Sequence, residues 1–102
     1  MYKVETSLDV ENDLVSLPEE VLLEVLSFFE RYKTEPFQCS QPLYKQGVRD
    51  LRGCRKTYVA NAAYRIIIQV ENDVAKIVSI VCVGERQDMS AYDIAFKRIS
   101  PK

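Results

Sequence analysis

The stretch that most narrows the possible folds is Ile77-Val78-Ser79-Ile80-Val81-Cys82-Val83, apolar everywhere but Ser79 and rich in β-branched residues. An unbroken run of this length suits a strand covered on both faces near the middle of a sheet. Two more strand-like runs precede it, Arg55–Ala60 and Tyr64–Val70. With the last strand taken as Val74–Val83, the breaks at Asn61-Ala62 and Asn72-Asp73 become hairpin turns. Strands joined so tightly predict an antiparallel meander, with Gly84 ending it.

The N-terminal third follows the helical period instead. Met1–Thr6 alternates loosely and predicts a short strand, after which Ser7 or Asp9 can cap a brief helix carrying Val10, Leu14 and Leu17. Ser16-Leu17-Pro18-Glu19 reads as a capping box with proline in the first turn. It opens a longer helix whose Leu22, Val25, Leu26, Phe29 and Tyr32 recur every three or four residues. Thr34–Gly47 holds Pro36, Pro42 and Gly47 and reads as an irregular connector. Ser90 with Asp93 three residues on opens a C-terminal helix with Tyr92, Ala95, Phe96 and Ile99 along one stripe. The expected fold is α+β, with the N-terminal strand and helical hairpin packed on an antiparallel sheet, a C-terminal helix, and one sheet face left available for work. At 102 residues, 47% of them hydrophobic, one core and a single domain over residues 1–102 are expected.

Composition removes several kinds of chemistry. There is no histidine, so serine–histidine and cysteine–histidine schemes and imidazole acid–base pairs are excluded. Cys39, Cys54 and Cys82 lack the close spacing of zinc sites, so no metal and no cofactor are expected, and free thiols fit a reducing cytoplasm. No apolar run has the length of a membrane span, and the first residues lack the order of a secretory signal, so a cytoplasmic protein without a membrane partner is expected. The net charge of −1 is unevenly placed: residues 1–38 carry three basic groups against nine acidic ones, and residues 39–102 carry eleven against six. A basic face can therefore coexist with an acidic whole.

Four segments, in this order, carry a resemblance to a known family: Leu51-Arg52-Gly53, Tyr64-Arg65-Ile66-Ile67-Ile68-Gln69-Val70, Val81-Cys82-Val83-Gly84-Glu85-Arg86, and Tyr92-Asp93-Ile94-Ala95-Phe96-Lys97-Arg98-Ile99. Together they resemble the RelE/ParE superfamily of toxins from type II toxin–antitoxin systems, and the RelE branch most. The resemblance implies a RelE-like fold, a cognate antitoxin as partner, and ribosome-dependent endonuclease cleavage of mRNA that inhibits translation. In that chemistry the RNA's own 2′-hydroxyl attacks the adjacent phosphate, leaving a cyclic phosphate, and no metal takes part.

Residue by residue, the resemblance implies that Arg65 and Arg86 serve the phosphate, a role that suits the planar guanidinium fork. A guanidinium is a poor literal proton donor, so charge stabilisation is the role expected of Arg86. Tyr92 matches a tyrosine assigned as base or base-stacking group, and Lys56 a lysine that helps activate the nucleophile. A second basic position two residues later is Tyr58 here, a departure from the family pattern. With Asn61-Ala62 as the turn, Tyr58 pairs with Arg65, and Lys56, Tyr58 and Arg65 share one face. Arg52, Arg55 and Tyr58 are candidates for RNA contact, although a run such as Arg49, Arg52, Arg55 equally suits a solvated loop. Tyr92 lies on the apolar stripe of its helix and has a core reading beside the catalytic one, and Arg65 can be read as a solvated edge residue. Lys97 and Arg98 suit a helix C-terminus, and Cys54 and Cys82 suit small apolar positions. Two other functions fit the same family: a ParE-like poison of DNA gyrase, which needs no nuclease triad, and a catalytically decayed toxin, to which Tyr58 and the acidic pI lend weight.

Overall fold

The computed structural model describes residues 1–46, 49–85 and 90–99, with side chains at all of these except 45, 46, 49 and 90. The elements are β1 (Lys3–Glu5), α1 (Leu8–Val15), α2 (Glu19–Tyr32), β2 (Gln41–Pro42), β3 (Lys45–Gln46), β4 (Arg49–Asp50), β5 (Cys54–Val59), β6 (Tyr64–Asn72), β7 (Lys76–Glu85) and α3 (Ser90–Ile99). The fold is α+β, built on a five-stranded sheet in the order β1-β7-β6-β5-β2, with β3 and β4 forming a separate ribbon. The apolar run is β7, and it lies inside the sheet as its composition requires. Pairing is antiparallel throughout except that β1 runs parallel to β7.

The expectation of one uncovered sheet face is corrected. Val10, Val21, Val25 and Tyr32 of α1 and α2 pack with Ile66, Ile68, Val78, Ile80 and Val83 on one face. On the other face Ala91, Tyr92 and Ala95 of α3 pack with Cys54, Ile67, Val81 and Cys82. Strands that are apolar on both sides need cover on both sides, and α3 supplies the second layer.

A bulge in β7 organises this division. Ile67 pairs with Cys82 and Ile68 with Ile80, so Val81 is an extra residue with no cross-strand partner of its own. Before the bulge Val78 and Ile80 face the helical hairpin. After it the alternation is reset, so that Val83 faces the hairpin and Cys82 faces α3. Gly84 does not end the strand: it pairs with Arg65, and β7 runs on to Glu85. A Cβ added at Gly84 would sit 3.6 Å from that of Ala91, so the glycine lies against α3.

Four local expectations change. Ser7 caps α1, its hydroxyl accepting from the Val10 N–H, but the capping box at Ser16 does not form. Ser16 ends α1 instead, and α2 starts at Glu19 with Pro18 before it, which makes Glu19 the first helical residue rather than the third. On α2 Val25 and Tyr32 of the expected stripe are buried and Phe29 packs partly buried against the core, whereas Leu26 is exposed and Val21 is buried instead, and Leu23 remains exposed. This helix has two adjacent apolar faces, and the sheet takes only one. The connector contributes β2, which pairs with Lys56 and Arg55, and β3, while Gly47 lies outside the described residues. The β5–β6 turn keeps the expected register, but Ala60, Asn61 and Ala62 all have φ between 53° and 69°. Glu24 of α2 steadies it by accepting the Ala60 N–H.

One contact joins the two helical layers around the sheet. Since β1 pairs only with residues 77–79, the following part of β7 has no strand on that side among the described residues. There Asp13 of α1 accepts the Val83 N–H at 3.0 Å, and Arg98 of α3 donates to the Val81 carbonyl at 2.9 Å. The two side chains also bind each other, Nη1 to Oδ2 at 2.8 Å and Nη2 to Oδ1 at 3.1 Å. Arg98 is thus tied to a specific acid, beyond any interaction with its own helix dipole.

Candidate active site

Alternation along β5 sorts its polar residues between the two faces. Thr57 points toward α2, where the Tyr32 hydroxyl donates to it, while Lys56 and Tyr58 point toward α3. Tyr58 is the cross-strand partner of Arg65. The register thus brings Lys56, Tyr58 and Arg65 onto one face, and α3 lowers Tyr92 onto them.

Arg65 is only 5% exposed and Tyr92 only 3%. The guanidinium carbon lies 4.2 Å from the centre of the Tyr92 ring and 5.5 Å from that of Tyr58, so the cation sits between two aromatic faces. Its Nε and Nη1 have no hydrogen-bond partner among the described residues. Buried donors left in this way are uncommon in folded proteins, and each costs about 1–3 kcal/mol. An anion with two oxygens is the ligand that a guanidinium fork best accommodates.

Lys56 donates to the Tyr58 hydroxyl at 2.8 Å and to the Tyr92 hydroxyl at 3.4 Å. Partial burial works to lower its ionisation, but the two phenols outweigh this and push the lysine above its ordinary value. Lys56 is therefore a fixed positive charge at neutral pH. It and Tyr58 also line an open cleft of about 340 Å³ that passes the edge of β5 toward Phe28 and Arg31 of α2.

The other candidates are placed elsewhere. Arg52 makes a two-pronged bond to Asp50 at 2.8 and 2.6 Å in an exposed turn. Arg55 faces away from the cluster, donating to the hydroxyl and carbonyl of Ser40 and lying over the Phe37 ring. Both hold the chain locally, and neither is brought to Lys56, Tyr58, Arg65 and Tyr92. Arg86 lies outside the described residues. Among the described residues no group of three or more His, Cys, Asp or Glu side chains could hold a metal ion. No helix among the described residues is long and apolar enough to cross a membrane.

The Asp13–Arg98 contact was not read from the sequence, although a signal existed. Asp13 follows Val10 by three residues and precedes Leu14, so it is a charge beside a buried stripe, and such a charge needs a partner.

Solved structures similar to this chain include toxins of toxin–antitoxin pairs. The RelBE2 complex of Mycobacterium tuberculosis matches with a TM-score of 0.67 and 26% identity over 83% of this chain and 98% of that one. A free Escherichia coli RelE mutant matches with a TM-score of 0.69 and 22% identity over 97% and 98%. The RelE–RelB complex of Pyrococcus horikoshii matches with a TM-score of 0.63 and 24% identity over 85% and 97%. Neither a protein-family profile nor a characterised protein sequence matches the chain. The fold is that of the toxins of toxin–antitoxin pairs. Within that class the chain is RelE-like, as the sequence resemblance implied.

Proposed function

We propose that this single-domain chain is the toxin of a type II pair and an endoribonuclease that cuts mRNA on the ribosome, in the cytoplasm, until a cognate antitoxin binds it. The observation that carries the reading is the buried Arg65, held between two tyrosines beside a charged lysine, with two donors that have no partner among the described residues. Cations with aromatic faces are how proteins meet phosphates and unstacked bases of single-stranded RNA.

In this reading the 2′-hydroxyl of the message attacks the adjacent phosphate. Arg65 and Arg86 hold the charge that builds on the phosphate oxygens, each contributing on the order of 3–4 kcal/mol by analogy with a single oxyanion donor. Tyr92 stands near the 2′-hydroxyl or stacks on a base, and Lys56 supports the charge. Tyr92 covers Arg65 in this conformation, so the phosphate reaches the guanidinium as that ring moves aside. Tyr58 remains a candidate for RNA contact. Arg52 and Arg55 would first have to leave Asp50 and Ser40.

Mapping message ends in cells after induction tests the reading. Cuts inside translated codons, lost in an Arg86→Ala or Arg65→Ala variant that still folds, are the expected result. Intact messages with broken chromosomes and inhibited supercoiling would replace it with gyrase poisoning, and no growth arrest at all would indicate a decayed toxin.

A further inference from the structure

We propose that Tyr58, held by Lys56, is the group that takes the 2′-proton, a role the family resemblance gives to Tyr92 or to a basic side chain. The assignment rests on the nuclease reading above and adds a catalytic residue to it.

Among the described residues four side chains meet at the site, and two of them cannot accept a proton at neutral pH. Arg65 is a guanidinium, and Lys56 is kept as an ammonium by the very phenols it contacts. Among these four, the acceptor is one of the two tyrosines. Tyr92 is 3% exposed, with its ring against the Arg65 guanidinium at 4.2 Å and its oxygen 3.4 Å from Lys56. Tyr58 is only partly buried, lies on the wall of the cleft, and has the shorter bond to Lys56, 2.8 Å. Its ring also adjoins Arg65, so a phosphate gripped there has the Tyr58 side chain at its flank.

Among the described residues, the charged and titratable groups facing this phenol are Lys56 from the same strand, Arg65 from β6 and Tyr92 from α3, with Arg31 of α2 and Cys39 of the connector across the cleft. Lys56, Arg65 and Arg31 are cations, which attract negative charge on the phenol oxygen, and burial keeps the Cys39 thiol neutral.

The step balances as follows. The Tyr58 phenolate oxygen takes the 2′-proton, the 2′-oxygen bonds to phosphorus, and the bond from phosphorus to the 5′-oxygen breaks. The departing 5′-oxygen takes a proton from water, and Tyr58 returns its proton to water. In sum, the 2′-proton has moved to the 5′-oxygen, with a 2′,3′-cyclic phosphate and a 5′-hydroxyl as products.

Single-turnover cleavage of a ribosome-bound message, measured against pH, tests this. Tyr58→Phe should lower the rate by about 10²-fold or more while circular dichroism and the unfolding midpoint show an intact fold. Difluorotyrosine placed at position 58, where it nearly keeps the shape and lets the phenol ionise at lower pH, should move the rising limb of the pH profile toward acid. The same residue at position 92 should leave that limb where the wild type has it. A limb that moves with position 92, or a folded Tyr58→Phe protein within threefold of wild type, overturns the assignment alone. Absence of any cleavage by the wild type overturns the nuclease reading and the assignment together.

Discussion

Replacing Arg65 by methionine separates a functional arginine from a structural one. Methionine keeps most of the aliphatic stem and removes the guanidinium. Two cation–aromatic contacts are lost, each about 1–2 kcal/mol in a desolvated setting. Two buried donors without acceptors among the described residues are also removed, each a penalty of about 1–3 kcal/mol. The second sum equals or exceeds the first, so the variant should be as stable as the wild type or more stable by up to about 2 kcal/mol. With a urea dependence of about 1–3 kcal/mol per molar, the midpoint should stay or rise by roughly 1 M. Far-ultraviolet circular dichroism is a suitable probe, because the chain has six tyrosines and no tryptophan to report unfolding by fluorescence. The same variant should lose toxicity in cells. A structural buried charge behaves in the opposite way, its removal from a partner costing about 3–5 kcal/mol. A fall of about 3 kcal/mol in Arg65→Met would refute the reasoning.

Asp13→Ala leaves Arg98 and the Val83 N–H without their acceptor and should cost about 2–3 kcal/mol, below the figure for a fully buried pair because both side chains keep some exposure. A double-mutant cycle with Arg98→Met should show coupling of about 1 kcal/mol or more, and simple additivity would show the contact to be idle. Ala62→Gly relieves a residue at φ 69° and should raise stability by about 0.5–1 kcal/mol in thermal unfolding, whereas a loss would mean that the turn is not left-handed there. Burial pushes the Cys82 thiol from its ordinary 9.0 up to about 12, so above pH 9 the unfolded chain ionises first. Its contribution is whole below about pH 9 and is lost at about 1.4 kcal/mol per pH unit up to about 12. Cys82→Ala should therefore flatten the alkaline decline, and an unchanged slope would show that this thiol does not drive it.

The parts of the fold that local pattern controls were legible in the sequence. The order of elements, the β7 run, the β5–β6 register and the meeting of Lys56, Tyr58 and Arg65 all follow from period and turn position. What was not legible depends on choices made between elements. Alternation cannot show a bulge at Val81, because Ile80, Val81, Cys82 and Val83 are all apolar and any phase satisfies them. For the same reason the second covered face was missed, since an apolar strand does not say which helix covers which side. On α2 the stripe through Val25, Phe29 and Tyr32 was read correctly, but Leu26 was given a buried place and Val21 none, because the apolar residues of this helix span more than one face. At the site, the sequence placed Tyr92 on an apolar stripe, and the structure bears out that core reading, with Arg65 as what the ring is buried against. The engagement of Arg52 by Asp50 and of Arg55 by Ser40 arises from side-chain geometry that spacing does not encode.

The bulge at Val81 makes β7 a strand whose meaning depends on counting. Upstream of it odd and even positions face one way, and downstream they have exchanged sides. Substituting Val81 changes the volume of one side chain. Deleting it closes the bulge without turning the strand: Cys82 stays opposite Ile67, Val83 still faces the hairpin and Gly84 still lies against Ala91, and what goes is the Val81 carbonyl that Arg98 holds. Loss of this one residue thus spares the facing of both layers and takes one bond from the Asp13–Arg98 clasp.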